Sequence, residues 1–333
     1  VDGTILADRY LLTEEIGTGG MGTVYKATDL RTGGPVAVKA PHPFLARDPA
    51  FRERLRREAR LAAALTSPRV VRVVDLDEHE GVPYLVLEFV AGETLAERVR
   101  RGGALPVAEA LAIAREIARA LEAAHSLGIV HRDLTPRNVK LVDGQVKVLD
   151  FGMAQAAGMA EFTPPGGFTG TPAYSAPERI SGTNADDPRS DLYSVGAILA
   201  TMLTGKALPA PWTGSGSGAG DPPGGRAAAG VAVPAGLPPE VERVLTRCLA
   251  PDPAGRYGSA AELAAALGAA LGAAPPPPAA VTPRGTPVTG AAPDHTQALP
   301  YATASGTTTS ATAGTSVAPH NLPASLTTFV GRE

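Results

Sequence analysis

The 333-residue chain contains one cysteine, Cys248, so no internal disulfide can form. That usage fits a reducing compartment. Cys248 sits in the apolar helical stripe Val244-Leu245-Thr246-Arg247-Cys248-Leu249, where a small core residue and a reactive thiol are the two readings. Excess charge is also scarce: the formal net charge is -3. The chain therefore has no overall field that would draw nucleic acid or an anionic membrane, and no nucleic-acid partner is expected. No apolar run reaches the roughly 18–20 residues of a membrane helix. The nearest candidate, Ala260–Ala274, is short, alanine-rich and holds Glu262. Val1-Asp2-Gly3 lacks the charged-then-apolar opening of a signal peptide, and Val1 in place of Met points to an alternative start codon or a fragment. From these absences a cytoplasmic location is expected.

What is present divides the chain. Residues from about 9 to 272 read as one folded unit. From Ala273 to about Ala318, opened by Pro275–Pro278, residues of the Pro, Thr, Ser, Ala and Gly kinds dominate. Such a segment cannot bury enough apolar surface to offset its ordering entropy, so residues 273–318 are expected to be a disordered linker, extended where proline clusters. The folded unit has two textures. Tyr10–Ile16, Thr23–Thr28, Val36–Ala40, Val70–Leu76 and Tyr84–Phe89 carry β-branched or alternating apolar patterns that predict strands. One helix, Pro49–Leu65, interrupts them. Beyond about Thr94 the apolar spacing turns helical, in Ala108–Leu127, Asp191–Leu203 and Pro239–Leu249. A Gly/Pro/Ser stretch, Pro209–Gly236, predicts an irregular surface insertion. The expected fold class is α+β: a strand-rich lobe over about 9–90, a helix-rich lobe over about 91–272, and a ligand at the seam.

The run His131-Arg132-Asp133-Leu134-Thr135-Pro136-Arg137-Asn138 places a candidate base, Asp133, five residues before an amide ligand, Asn138. Val148-Leu149-Asp150-Phe151-Gly152 supplies a second acidic ligand, Asp150, twelve residues after Asn138. Phosphoryl transfer from Mg-ATP needs such a set: a carboxylate for the acceptor hydroxyl and hard oxygen ligands for the metal. Gly17-Thr18-Gly19-Gly20-Met21-Gly22-Thr23-Val24 lies between two predicted strands. Its glycines can let backbone amides approach phosphate oxygens, or it can be a plain hairpin turn. A dinucleotide fold would need a helix next, and a strand follows instead. Lys39 ends the short strand Val36-Ala37-Val38-Lys39, as a functional cation or a surface charge. Glu58 falls on the apolar stripe of helix 49–65, with Phe51, Leu55, Ala62 and Leu65. An inward carboxylate needs a counter-charge, and Lys39 is the natural one. The alternative is a pair along the helix with Arg54.

These pieces resemble the eukaryotic-like protein kinase family, and in pattern the bacterial serine/threonine kinases. The signatures run in family order through Ala176-Pro177-Glu178, Asp191 and Arg256, covering about residues 9–272. The resemblance implies a two-lobed kinase-like fold and transfer of the γ-phosphate of ATP to Ser or Thr hydroxyls of protein substrates. It implies an ATP site of Ile16, Gly17, Thr18, Gly19, Gly20, Met21, Gly22, Thr23, Val24, Ala37 and Lys39, with Glu88 to Val90 as hinge and Leu87 as gatekeeper. Asp133 would act on the acceptor hydroxyl, Lys39 positioned by Glu58 would hold the α- and β-phosphates, and Asn138 and Asp150 would hold Mg²⁺, with Mn²⁺ as an alternative metal. Glu178 would pair with Arg256, and Asp191 would brace the catalytic loop. Thr171, in Gly170-Thr171-Pro172-Ala173-Tyr174, resembles the substrate-facing segment and would help brace Asp133. Thr163 and Thr169 are the expected sites of activating autophosphorylation, with Arg132 as phosphate partner, unless they are ordinary loop residues. Relatives of this kind often dimerise through the strand-rich lobe, so a homodimer is a further expectation.

One position departs from the pattern. Most kinases of this family carry lysine where this chain has Thr135, and Arg137 is expected to supply the missing charge. Residues 319–333, ending Thr328-Phe329-Val330-Gly331-Arg332-Glu333, regain apolar residues and resemble the lead-in to the P-loop domain of NB-ARC-like ATPase regulators. The competing readings are a pseudokinase scaffold and a small-molecule phosphotransferase. Against the first stands the full set Lys39, Glu58, Asp133, Asn138 and Asp150; against the second, the Thr169–Glu178 segment.

Overall fold

The computed structural model describes residues 3–20, 22–151, 171–182, 186–209 and 236–273. Met21, Thr163, Thr169, nearly all of the expected insertion and linker, and residues 319–333 lie outside the described residues.

Six strands build the first lobe: β1 (Ile5–Leu6), β2 (Tyr10–Gly19), β3 (Gly22–Asp29), β4 (Pro35–Pro41), β5 (Val73–His79) and β6 (Val82–Glu88). They form one antiparallel sheet in the order β1-β2-β3-β4-β6-β5. Side chains alternate across it. Val36, Val38, Tyr84 and Val86 join Tyr10 and Leu12 in a core on one face. The register pairs Ala37 with Leu87, and Lys39 with Leu85, on the other. After the single turn α1 (Pro43–Ala46), helix α2 (Pro49–Ala63) covers that second face, with Phe51, Leu55 and Ala59 against Leu85. Burying each of the two larger side chains is worth about 1.5–3 kcal/mol. Asp48 caps α2 by accepting the Ala50 N–H, and Pro49 opens it. The same stripe turns Glu58 inward, where it is 4% exposed.

The strand expected over Val70–Leu76 begins only at Val73. Val70 instead bridges Val148, and the Val71 N–H donates to the Val148 carbonyl at 2.9 Å. Val70 belongs to the core of the second lobe, so this segment sews the lobes together. An alternating apolar pattern does not say which sheet it joins.

The second lobe contains α3 (Leu95–Gly102), α4 (Val107–His125), α5 (Pro177–Ile180), α6 (Arg189–Thr204), α7 (Pro239–Cys248) and α8 (Ala260–Ala273). Leu111, Ala114, Ile117, Ala118 and Leu121 of α4 are buried, as their spacing predicts. Helix α6 is buried continuously from Ser190 to Met202 and forms the axle of the lobe. Gly196 permits its close approach to α7: a Cβ there would lie 2.5 Å from that of Cys248. Burial pushes the Cys248 thiol up to about 12, which selects the core reading over the reactive one. A small sheet of β7 (Glu93–Thr94), β8 (Val139–Val142) and β9 (Gln145–Val148) sits under the seam. Asp143 and Gly144, at φ 47° and 77°, close its hairpin. No helix among the described residues is long and apolar enough to cross a membrane.

Candidate active site

The loop between α4 and β8 hangs from one carboxylate. Asp191, buried at the start of α6, accepts the backbone N–H of His131 at 2.8 Å and of Arg132 at 3.0 Å. It also accepts from His125 Nε2 at 2.9 Å. Burial works to raise its pKa, but these donors win and hold it below the usual carboxylate range. The Nε2–H of His131 reaches the Leu149 carbonyl at 2.9 Å, and its ring lies 4.8 Å from that of Phe151. Asp150 is thus fixed between two anchored neighbours. Arg132 and Asp150 adopt left-handed backbone at φ 68° and 59°. Such conformations cost about 1–3 kcal/mol each, and they persist here because both flanks are tied down.

Three of the expected chemical groups meet at the seam. Lys39 Nζ lies 2.8 Å from Asp150 Oδ1. Burial alone would raise the Asp150 carboxyl; the charge and hydrogen bond of Lys39 override it and set its pKa below the ordinary value. Asp133 is half-buried, and burial raises its pKa, with His131, Arg179 and Lys39 opposing and Asp150 reinforcing. A carboxylate with raised proton affinity suits a general base. Asn138 and Asp150 together offer a carboxamide and an ionised carboxylate oxygen. That pair fits a Mg²⁺ ion, which commonly takes one or two protein ligands together with substrate phosphates.

Glu58 departs from expectation. No ion pair joins it to Lys39 among the described residues. Its ion pair is with Arg57 Nε, at 3.8 Å on its own helix. The alternative partner, Arg54, pairs with Asp48 at 3.6 Å. Burial raises the Glu58 pKa, opposed by the charges of Arg132 and Arg57. Lys39 is paired instead with Asp150. An apolar cavity lined by Ala62, Leu65, Val73, Leu87 and Phe151 lies beside Asp150, on the flank of α2.

Thr135 has a positive task that the sequence did not reveal. Its hydroxyl donates to Asn138 Oδ1 at 2.6 Å and accepts the Arg137 N–H at 3.3 Å, capping the 3-10 turn Pro136–Asn138. The signal was a Thr-Pro pair, a cap followed by proline at the first helical position. Arg137, nominated to replace the missing lysine charge, is exposed and lines a groove with Arg100, Thr171 and Tyr174. The arginine whose field Asp133 feels is Arg179, on α5. Its Nε and Nη1 are buried without a hydrogen-bond partner among the described residues. No sequence signal pointed to it.

The remaining expected positions are as follows. Glu178 and Arg256 form a buried two-pronged pair at 2.6 and 2.7 Å. Arg132 Nη2 lies 2.8 Å from the exposed Asp186. Thr171 is exposed, and no hydrogen bond joins its hydroxyl to Asp133 among the described residues. In the ATP segment, Val24 pairs with Lys39 across β3 and β4. Ile16, Gly17, Thr18, Gly19 and Gly20 are exposed at the end of β2, Gly22 is buried, Thr23 is partly buried, and Ala37 is buried on the Lys39 face. Glu88 is ion-paired to Lys147 of the small sheet, and Val90 follows it across the seam.

Comparison with known proteins gives the same outline. The model of the protein kinase domain family matches residues 10–266. Serine/threonine-protein kinase PknA of Mycobacterium tuberculosis is 38% identical over 319 residues, covering 92% of this chain and 72% of that protein. Serine/threonine-protein kinase PknL of the same species is 38% identical, covering 80% of this chain and 67% of PknL. A crystal structure of the Mycobacterium tuberculosis PknI kinase domain superposes with a TM-score of 0.61 at 31% identity, covering 82% of this chain and 99% of that one.

Proposed function

The chain belongs to the protein kinase domain family, and from that premise we propose how its residues divide the work of phosphoryl transfer. It is an ATP-dependent serine/threonine protein kinase, like its named relatives. The observation that carries the residue assignment is the convergence of Lys39, Asp133 and Asp150 at one seam, with Lys39 and Asp150 in contact at 2.8 Å.

Gly17, Gly19 and Gly22 line the phosphate side of the nucleotide, and the backbone of Glu88 to Val90 meets adenine. Lys39 holds the α- and β-phosphates once Glu58 replaces Asp150 as its partner. Asn138, oriented by Thr135, and Asp150 would hold Mg²⁺ or Mn²⁺. When bound, the metal neutralises phosphate charge. The Asp133 carboxylate accepts a hydrogen bond from the Ser or Thr hydroxyl and takes its proton. The hydroxyl oxygen bonds to the γ-phosphorus while the bond to the β–γ bridging oxygen breaks, and ADP leaves. Arg179 holds positive charge near Asp133 where Thr135 supplies none.

Regulation by autophosphorylation follows from the same loop. A phosphate on Thr163 or Thr169 would compete with Asp186 for Arg132. A cytoplasmic setting suits the single buried thiol and the need for ATP, and a homodimer through the strand-rich lobe is carried by the family resemblance alone. The resemblance of residues 319–333 to an NB-ARC-like lead-in supports a linked ATPase module, and the downstream gene sequence tests it.

The test of the assignment is transfer of labelled phosphate from ATP to the protein itself and to a generic acceptor, with Asp133→Asn as control. Label in the wild type and little in the variant is expected. Equal label in both overturns the assignment of the base.

A further inference from the structure

We propose that the groove beside the catalytic loop selects acidic side chains in the acceptor polypeptide, through Arg100 and Arg137. The proposal rests on the protein-kinase reading above and adds the chemistry of the substrate.

The groove has a volume of about 410 Å³ and runs between α3, the catalytic loop and the segment after Thr171. That size accommodates a few side chains of a bound peptide. Thr135 and Thr171 lie on its walls, so it borders the loop that carries Asp133. A polypeptide whose hydroxyl reaches Asp133 lays neighbouring residues along it. The charged residues that line it, among those described, are Arg100 and Arg137, with no aspartate or glutamate.

The two arginines stand apart from their neighbours. Helix α3 carries three arginines in four positions. Arg98 pairs with Glu109 at 3.3 Å and Arg101 with Glu93 at 2.7 Å. Among the described residues Arg100 has no ion pair, and it lines the groove. The nearby Glu97 is already engaged, accepting the Thr94 N–H at 2.7 Å and the Thr94 hydroxyl at 2.9 Å in the helix cap. Among the described residues the Arg137 guanidinium likewise has no hydrogen bond or ion pair, and its backbone N–H donates to Thr135. Two exposed, uncommitted guanidinium forks on one groove complement carboxylates, which they can grip with paired hydrogen bonds. An arginine also repels the basic residues that a groove lined by carboxylates would attract.

The experiment uses the full chain and a set of peptides identical except for Glu, Gln, Lys or phosphoserine beside one acceptor Ser. Both kcat/KM and the affinity of versions with Ala in place of the acceptor are measured. Glu peptides are expected to exceed Lys peptides by about tenfold in both, one charge-assisted contact's worth. The preference should shrink in high salt, because the contacts are exposed. Arg100→Glu with Arg137→Glu should invert the ratio, mainly through KM. Phosphoserine above Glu places the preferred ligand among phosphorylated segments and keeps the assignment. Equal values for Glu and Lys overturn it. So does a preference that survives the double reversal, or an Arg137 effect that falls on kcat equally for every peptide. Absent transfer with the affinity ratio intact would sink the kinase mechanism and leave the groove assignment standing.

Discussion

Lys39 and Asp150, 111 positions apart in sequence, are joined Nζ to Oδ1 at 2.8 Å across the seam of the two lobes. Each is expected to serve ATP, yet each is occupied by the other. On the proposed assignment, nucleotide binding would exchange this ion pair for contacts to phosphate and metal. Lys39→Met and Asp150→Asn should each lower kcat by about 100-fold or more, the scale of losing one organised charge in an active site. Lys39→Arg should not restore the rate, because a planar fork does not replace a compact ammonium. Wild-type turnover in Lys39→Met would remove the lysine from the mechanism.

Glu58 is buried with Arg57, rather than Lys39, as its ion-pair partner among the described residues. Burial raises its pKa, so the folded state binds its proton more tightly than the unfolded chain does. Stability then falls as pH rises through the window from the ordinary value upward, and the penalty disappears once the group is protonated. Glu58→Gln should raise the Tm of the ligand-free protein at pH 7 by a few degrees, on the scale of about 2–4 °C per kcal/mol. The gain should shrink toward pH 4.5, where the native carboxyl also takes a proton. Turnover should fall in the same variant, since glutamine cannot be the counter-charge of Lys39. A Tm gain that is constant with pH would rule out titration of Glu58 as its source.

The glycines of the nucleotide segment separate by what surrounds them. A Cβ on Gly22 would lie 2.0 Å from the Ala40 carbonyl oxygen, while Gly17 and Gly19 face open space. Gly22→Ala should therefore loosen the pairing of β3 with β4 and lower Tm even without nucleotide. Gly17→Ala and Gly19→Ala should leave Tm within about 0.5 kcal/mol equivalent and act on KM for ATP. Thermal melts with and without ATP read both effects, and a Gly22→Ala protein as stable as wild type would refute the distinction.

Much of this was legible beforehand. The change from period 2 to period 3.6 near residue 90 marks the lobes, because alternation and helical spacing record which face of an element is buried. The spacing of Asp133, Asn138 and Asp150 puts two of the proposed site carboxylates, Asp133 and Asp150, close enough to feel each other's charge. What pattern cannot record is which anion meets Lys39, since that depends on where α2 rests against the sheet. It also could not show that Thr135 orients Asn138, or that Arg179 enters from α5, 46 residues after Asp133. Val70 and Val71 illustrate the same limit: their apolar character is correct, and their partner is Val148 of the other lobe.

The pair Glu178–Arg256 lies away from the chemistry, and its prediction concerns stability. Arg256 is 2% exposed and spends its guanidinium fully: on Glu178 at 2.6 and 2.7 Å, and on the carbonyls of Ala250, Arg189 and Pro251 at 2.9, 3.1 and 3.1 Å. Removing the acid leaves a buried cation still held by those carbonyls, a loss of about 3–5 kcal/mol. At this domain size Glu178→Ala should lower Tm by about 10 °C. Arg256→Lys should fail to substitute, because one ammonium cannot reach the carboxylate and three carbonyls together. Glu178→Leu with Arg256→Met should recover part of the loss that either causes alone, since no charge is then left unpaired. A double variant no better than the sum of the singles would show that Arg256 stabilises the fold through its contacts to the carbonyls of Ala250, Pro251 and Arg189 rather than through its pairing with Glu178.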